Sequence, residues 1–160
     1  MTAVDSHEKT KGASSAFVTF SLAEETYAID VLQVQEVLKL TDIAPVPGVP
    51  DYILGIINLR GDVVTVIDAR RRMMLPEREL DDASRIVIID VDNQNVGILV
   101  DSVAEVVQIS PDAVDPAPAV GNDQTSRFIL GVTSTAEGLT ILIDINKLLS
   151  DDEWASIREL

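Results

Sequence analysis

Residues 53–68 constrain the fold more than any other stretch, because two strand-length apolar runs are separated there by turn-forming residues. The intervening segment 58–62, NLRGD, supplies Asn, Gly and Asp, which tolerate the positive φ angles of tight turns. The stretch therefore predicts a β-hairpin. In its second run Val63, Val64, Val66 and Ile67 are apolar on both alternations, which predicts a strand covered on both faces.

Other apolar runs of strand length lie on both sides of this hairpin. One segment differs, because Val31, Val34, Val37 and Leu38 recur at helical spacing after Asp30 and predict a capped helix. The remaining runs predict strands at 17–22, 26–29, 85–90, 96–100, 103–109, 128–132 and 139–143. About nine strands with only short helices predict an all-β (mainly β) protein of two small barrels rather than an α/β sheet.

Polarity and proline content divide the rest of the chain. Residues 1–15 are polar and aperiodic and predict a flexible tail, whereas the proline-rich segment 44–50 predicts an ordered loop. Three arginines at 70–72 indicate a solvated strand end or, alternatively, a basic spot that orients an acidic partner. Residues 151–160 predict an acidic C-terminal helix, which leaves 16–150 as the folded domain.

The composition excludes several classes of partner and site. The net charge of −15, from 12 basic and 27 acidic residues, repels phosphate backbones and argues against binding to nucleic acid. No cysteine is present, so neither a disulfide nor a thiolate metal site is possible. No apolar stretch has the length of a membrane span, so we expect a soluble intracellular protein without direct membrane insertion.

Catalytic groups are nearly absent from the sequence. His7, the single histidine, lies in the predicted tail, so no Ser-His or Cys-His pair can form. Aspartates close four predicted strands, at Asp68, Asp90, Asp101 and Asp144, where a turn cap is the more common role than acid–base chemistry. We therefore predict no catalytic, metal-binding or cofactor-binding residue, and no cofactor.

Several motifs, taken in order, resemble the CheW family of bacterial chemotaxis coupling proteins. The resemblance runs through nearly all of residues 16–150. It is carried by YAID (27–30), VQEV (34–37), GIINLRG (55–61), VIDAR (66–70), VGILVDSV (96–103), PAP (116–118), Gly131 and IDINKLL (143–149). A single motif of this kind is weak, whereas so many in the same order form a strong case.

The resemblance implies a CheW-like fold of two five-stranded SH3-like barrels. It further implies an adaptor that joins the cytoplasmic tip of chemoreceptors to a CheA-type histidine kinase, with linkage between two sites in place of chemistry. Two alternatives stay open. One is an adaptor of a non-flagellar chemosensory pathway, serving surface motility or a biofilm, and the other is a hydrolase that uses paired aspartates.

Matching positions in the family imply two sets of contact residues. Kinase binding is expected of Ile43, Val46 and Val120, the first two beside the proline loop. A receptor-binding groove is expected to contain Val34, Glu36, Gly55, Asn58, Leu59, Arg60, Ile86, Val103 and Val106.

Arg60 has its own expectation within the groove. An arginine in so apolar a hairpin needs either solvent at the turn or a carboxylate, and a guanidinium favours bidentate pairing. In the implied fold the nearest partner is Glu36, on the predicted first helix. We therefore predict a partly buried Arg60–Glu36 pair that ties this helix to the hairpin turn.

Overall fold

Ten strands form two five-stranded sheets in the computed structural model, which describes residues 14–116, 127–136 and 138–159. We call the sheet with strand order β8-β1-β2-β10-β9 lobe A, and the sheet with order β3-β6-β7-β5-β4 lobe B. The strands are β1 (Ser15–Leu22), β2 (Glu25–Asp30), β3 (Val34–Lys39), β4 (Ile53–Leu59), β5 (Asp62–Asp68), β6 (Arg85–Val91), β7 (Gln94–Val100), β8 (Ser102–Ile109), β9 (Ile129–Thr135) and β10 (Gly138–Ile143).

The two lobes have the same topology. Each combines an antiparallel hairpin, β1-β2 or β6-β7, with a three-strand unit, β8-β9-β10 or β3-β4-β5. In each lobe one strand of the unit pairs in parallel with the hairpin, β10 with β2 and β5 with β7. Strands β1–β5 are therefore one repeat and β6–β10 a second, and each lobe takes its hairpin from one repeat and its three-strand unit from the other.

Glycines close both lobes at equivalent places. An isolated bridge joins Ala44 to Ile56 in lobe B, and another joins Asp115 to Val132 in lobe A. A Cβ atom on Gly55, the residue before Ile56, would lie 2.1 Å from the Ala44 oxygen. The Gly131 position is similarly crowded by the Asp115 oxygen, at 2.6 Å. Only glycine lets these two backbones approach closely enough to close each barrel.

Apolar residues of both lobes share one main core. Phe20 and Leu22 from lobe A are buried in the same cluster as Ile67 and Ile89 from lobe B. A smaller cluster fills the interior of lobe B, and a third lies in lobe A around Ala28, Ile109 and Leu142. The prediction of two small barrels is confirmed, and the shared core explains why neither lobe is an independent domain.

The hairpin predicted at 53–68 is formed by β4 and β5. Its two turn residues, Arg60 and Gly61, both have positive φ angles, 51° and 92°, and the Gly61 N–H donates to Asn58 Oδ1 at 2.9 Å. The expectation that β5 is covered on both faces is wrong at its first apolar residue, because Val63 is 65% exposed. From Val64 onward the strand is covered as predicted.

The predicted helix over 31–38 is wrong. A single 3-10 turn, Val31–Gln33, is followed at once by strand β3. Asp30 does cap the turn, since its carboxylate accepts the Leu32 N–H at 2.9 Å. Pairing with β6 converts the rest into a strand whose residues alternate between partly buried and exposed. A helical spacing of apolar residues was thus overridden by long-range pairing.

The arginines at 70–72 do not form a solvated strand end. They belong to a one-turn helix, Ala69–Arg72, whose N-cap is Asp68. Each guanidinium has an acidic partner, from Arg70 to Asp101 (2.6 Å), from Arg71 to Glu77 (3.0 Å) and from Arg72 to Glu153 (2.9 Å). These charges hold the protein's own segments together and do not present a bare basic spot.

The C-terminal helix, Asp151–Arg158, packs onto the shared core. Ser150 and Glu153 form a capping box at its start, and Trp154 and Ile157 are buried. At the other end of the chain, Ser15 already belongs to β1, while residues 1–13 of the predicted tail lie outside the described residues. Within the described ranges, no helix has the length and apolar character needed to cross a membrane.

Candidate binding surfaces

Three of the four aspartates expected to close strands, Asp68, Asp101 and Asp144, make bonds that hold local structure in place. Asp68 accepts the Arg70 N–H at 3.0 Å, and Asp144 accepts the Asn146 N–H at 3.1 Å, so both cap short turns. Asp101 is engaged by the Arg70 guanidinium. Between residues 14 and 159, the described part of the chain contains no group of three or more acidic or histidine side chains arranged to hold a metal ion.

The residues expected at the receptor groove come from three places in the fold. Val34 and Glu36 lie on β3, one edge of the lobe B sheet, and Arg60 lies at the turn that follows β4, its other edge. Val103 and Val106 lie on β8, an edge strand of lobe A. Apart from Ile86 on the inner strand β6, the set is therefore spread over edge strands of both lobes and the turn after β4.

Arg60 pairs with Glu36, as predicted. Its two terminal nitrogens engage both carboxylate oxygens of Glu36, with 3.3 Å between Nη1 and Oε1. This bond lowers the pKa of the Glu36 carboxyl and raises that of the guanidinium. The expectation of a partly buried pair is wrong for the arginine, because the side chain of Arg60 is 70% exposed and that of Glu36 is 30% exposed. The pair bridges the two edges of the lobe B barrel at its surface.

The valines of the expected groove occupy repeated positions. The motif VQEV (34–37) begins β3, and the motif VAEV (103–106) follows Ser102, the first residue of β8, in the second repeat. Val34 and Val103 are both partly buried against the shared core. Val37 and Val106, the last residues of the two motifs, are 40% and 56% exposed. Val37 was not among the predicted residues, although comparison of the two motifs could have identified it.

The other expected groove residues differ in accessibility. Asn58 is exposed, Leu59 is partly buried against the lobe B core, and Gly55 is buried where the barrel closes. Ile86 is 0% exposed, because β6 lies between β3 and β7 and this side chain points into the lobe B interior. The expectation that Ile86 contacts a partner directly is therefore corrected, because its side chain is enclosed in the lobe B interior.

A shallow apolar depression of about 380 Å³ lies at the end of lobe B. It includes Ile43, one of the expected kinase contacts, together with Ile56 and the exposed Val63. Val46 is partly buried in the proline loop, outside this depression, and Val120 lies outside the described residues. Val63 was missed because the sequence pattern of β5 predicted burial on both faces.

Three comparisons with known proteins agree with this architecture. Residues 16–153 match the protein family described as CheW-like domain. The chain is 34% identical over 147 residues to the chemotaxis protein CheW of Treponema pallidum, covering 89% of this chain and 86% of the relative. It is 36% identical over 139 residues to chemotaxis protein CheW of Bacillus subtilis, covering 87% and 89%. The crystal structure of scaffolding protein TtCheW from Thermoanaerobacter tengcongensis superposes with a TM-score of 0.77 at 36% identity, covering 84% of this chain and 92% of that one.

Proposed function

The chain belongs to the CheW family and is a chemotaxis adaptor rather than an enzyme; from this premise we propose which partners it joins. One partner is the cytoplasmic tip of chemoreceptors, and the other is the regulatory domain of a CheA-type histidine kinase. The adaptor acts where these meet, at the cytoplasmic receptor array. It transmits receptor state to the kinase because both partners occupy one rigid body at the same time.

The observation that supports two partners is the presence of two distinct surfaces. The apolar depression at the end of lobe B contains Ile43 and Val63. The β3 and β8 surface, defined here by Val34, Val37, Val103 and Val106, belongs to the edges of both lobes. None of these four valines lines the depression, so a partner bound there leaves them uncovered. Asn58 does line it, so the depression takes in one residue of the expected receptor groove.

We assign the receptor tip to the β3 and β8 surface. Val37 and Val106 offer exposed apolar side chains, while the Arg60–Glu36 pair supplies fixed charges beside β3. Apolar anchors with a polar rim are the usual composition of a specific interface. The position of this surface across both lobes also means that receptor contacts depend on how the lobes are held together.

We assign the kinase domain to the depression on lobe B. Its exposed apolar residue, Val63, stands next to a loop that contains three prolines within 45–50. A loop restricted by proline loses little conformational freedom when a partner orders it, so more of the contact energy appears as affinity. Ile43 lies at the start of this loop and forms part of the depression.

Two aspartate substitutions at exposed valines test both assignments. Val63→Asp should weaken binding of the kinase regulatory domain by about tenfold or more and change receptor binding by less than about twofold. Val106→Asp should have the opposite selectivity. Calorimetric titration with each purified partner, separately and together, measures both affinities. Equal losses for both partners in either variant would contradict the assignment of separate surfaces.

A further inference from the structure

The chain passes between the lobes at two equivalent points. The first is the 3-10 turn Val31–Gln33, between β2 in lobe A and β3 in lobe B. The second is Asp101, between β7 in lobe B and β8 in lobe A. Leu32 and Asp101 each stand two residues before the first valine of the repeated motif, so they are equivalent positions that carry very different side chains.

Asp101 is held by a nearly buried, bidentate ion pair. Arg70 donates from Nε to Oδ1 at 2.7 Å and from Nη2 to Oδ2 at 2.6 Å. The side chains of Arg70 and Asp101 are only 11% and 10% exposed. Two parallel bonds between planar groups fix angle as well as distance, which a lysine ammonium cannot do.

Further bonds extend this pair to both lobes. The Ala23 N–H, at the turn between β1 and β2, donates to Asp101 Oδ2 at 2.9 Å. The Asp101 N–H donates to the Ser21 oxygen at 3.0 Å. The remaining Arg70 nitrogen, Nη1, donates to the Pro76 oxygen at 2.6 Å. The pair thus joins the lobe A hairpin turn to the segment that leaves lobe B after β5.

The other crossing is not built in this way. Leu32 is 85% exposed, and its backbone N–H is held by the neighbouring Asp30 carboxylate. This contact is local to one turn, whereas the contacts of Asp101 span 31 residues to Arg70 and 78 residues to Ala23. Beside its pairing with β1, the start of β8 is therefore tied to lobe B by the Arg70–Asp101 pair.

We propose that Arg70 and Asp101 are positioning residues for receptor binding, although neither belongs to the expected contact set. By fixing the start of β8, they fix Val103 and Val106 relative to Val34 on β3 and thereby preform a surface shared by both lobes. A preformed surface binds more tightly, because its ordering is already complete before the partner arrives. This inference rests on the proposed function of the β3 and β8 surface.

The variant Arg70→Lys in the full chain tests the inference, because it keeps the charge and removes the bidentate geometry. Binding of a receptor-tip fragment should weaken by about fivefold to tenfold, while binding of the kinase regulatory domain should change by less than about twofold. Both affinities are measured by calorimetric titration, together with the midpoint of thermal unfolding.

Arg72→Lys is the matched control. Arg72 forms a comparable pair with Glu153 at 2.9 Å and 3.2 Å, which joins the one-turn helix to the C-terminal helix and touches no residue of the β3 and β8 surface. Its loss of bidentate geometry should lower thermal stability without weakening receptor binding. If Arg70→Lys does not fold, Asp101→Asn keeps the shape of the side chain and is measured in its place.

The outcomes separate this inference from the proposed function. A wild-type chain that binds no receptor fragment would overturn the proposed function and, with it, the basis of the inference. If the wild type binds normally, unchanged receptor affinity in Arg70→Lys would overturn the inference alone. It would also be overturned if receptor and kinase affinities fell equally, or if Arg72→Lys weakened receptor binding as much. Selective loss of receptor affinity in Arg70→Lys supports it.

Discussion

Lobes A and B share a topology but fill their interiors with different chemistry. In lobe B the strands point Ile57, Val64 and Ile88 inward, all of them buried. The register of the paired strands makes Thr133, Thr140 and Thr19 their equivalents in lobe A, and these are buried too. At these three equivalent positions lobe B has aliphatic side chains, whereas lobe A has hydroxyls beside its apolar cluster of Ala28, Ile109 and Leu142.

Each of these threonines has a hydrogen-bond partner. Thr19 Oγ1 donates to the Glu105 oxygen at 3.0 Å and accepts the Glu105 N–H at 3.1 Å, where the pairing of β1 and β8 shifts register. Thr133 donates to the Ala113 oxygen at 2.7 Å, and the hydroxyls of Thr140 and Thr135 lie 2.9 Å apart. Lobe A therefore depends on specific bonds, which hold only when every partner is in place.

The comparison indicates which lobe tolerates change. An apolar interior loses contacts gradually when a side chain is trimmed, but it cannot satisfy a new polar group. A hydroxyl-lined interior gains apolar side chains at low cost, provided that no partner is left without a bond. Replacing a lobe B residue by its lobe A equivalent should therefore cost more stability than the reverse replacement.

The largest expected effect comes from the two closing glycines. Gly55→Ala places a Cβ 2.1 Å from the Ala44 oxygen and adds a side chain at φ 151°. Backbone strain should cost about 1–3 kcal/mol, and overpacking should cost about 1–3 kcal/mol more. In Gly131→Ala the Cβ would lie 2.6 Å from the Asp115 oxygen, and the backbone there has no unusual φ, so this variant should cost less. Chemical denaturation of both variants measures the difference. Equal costs would contradict a tighter closure of lobe B.

The two crossings between lobes give the next largest contrast. Asp101→Ala leaves Arg70 nearly buried without its partner and should cost about 3 kcal/mol of unfolding free energy. The equivalent substitution Leu32→Ala should change it by less than about 0.5 kcal/mol, because that side chain is 85% exposed. Urea unfolding at pH 7 measures both values. A costly Leu32→Ala would indicate that the first crossing is also locked.

Exchange of equivalent core residues tests the difference in chemistry directly. Val64→Thr keeps the shape of the side chain but buries a hydroxyl among aliphatic groups, which should cost about 1–3 kcal/mol. Thr140→Val removes the bond to Thr135 and a long 3.4 Å bond to the Gly138 oxygen, and should cost about 1 kcal/mol. Thermal unfolding of the two variants beside the wild type decides the matter. Equal costs in the two directions would show that the hydroxyls of lobe A are not a special requirement.

Residues close in sequence made the hairpin predictable, and distant partners made other parts unpredictable. Arg60 and Gly61 form their turn from local preferences. Strand β3, in contrast, is defined by its pairing with β6, about 50 residues later. The spacing of its apolar residues, considered without that pairing, predicts a helix. The equivalent motif at 103–106 had been predicted as a strand, so recognition of the repeat would have corrected the error.

The predicted site shows the same division between local and distant information. The chemistry of a lone guanidinium predicted that Arg60 has a carboxylate partner, and the fold implied by the resemblance identified that partner as Glu36. The exposure of the pair depended on how far the turn projects from the barrel. The acidic partners of Arg70 and Arg72 lie 31 and 81 residues away. No spacing in the sequence distinguishes such partners from the many other carboxylates of a chain with charge −15.

Two aspartates near the second crossing should give opposite pH dependence. Burial acts to raise the pKa of Asp101, but bonds from Arg70 and the Ala23 N–H outweigh it and leave the pKa lowered. Its stabilising contribution is therefore complete above about pH 4 and is lost as the pH falls through the folded-state pKa. Burial raises the pKa of Asp68 against opposing bonds from the Arg70 and Arg71 N–H groups. Ionisation of Asp68 therefore costs more in the folded than in the unfolded chain, and this cost disappears on acidification.

Asparagine variants separate the two contributions. Asp101→Asn should reduce the loss of unfolding free energy between pH 5 and pH 3 relative to the wild type, since the titrating group is gone, while lowering stability at pH 7. Asp68→Asn should steepen that loss, because a group that favoured the acid form has been removed. Denaturant titrations at about four pH values measure the slopes. Parallel slopes in all three proteins would contradict the assigned pKa directions.

The smallest effect on stability is expected at the Arg60–Glu36 pair, which has no equivalent in lobe A because Ala136 stands where lobe B has Arg60. Solvent screens a pair whose arginine is 70% exposed, so Arg60→Ala should leave the unfolding midpoint almost unchanged. Receptor affinity should nevertheless fall by about tenfold, since the fixed charges beside β3 are lost. The double variant with Glu36→Arg and Arg60→Glu should recover part of that affinity if the pair acts by bridging the two edge strands. If it recovers none while each single variant is folded, Arg60 contacts the receptor directly and its bond to Glu36 is incidental.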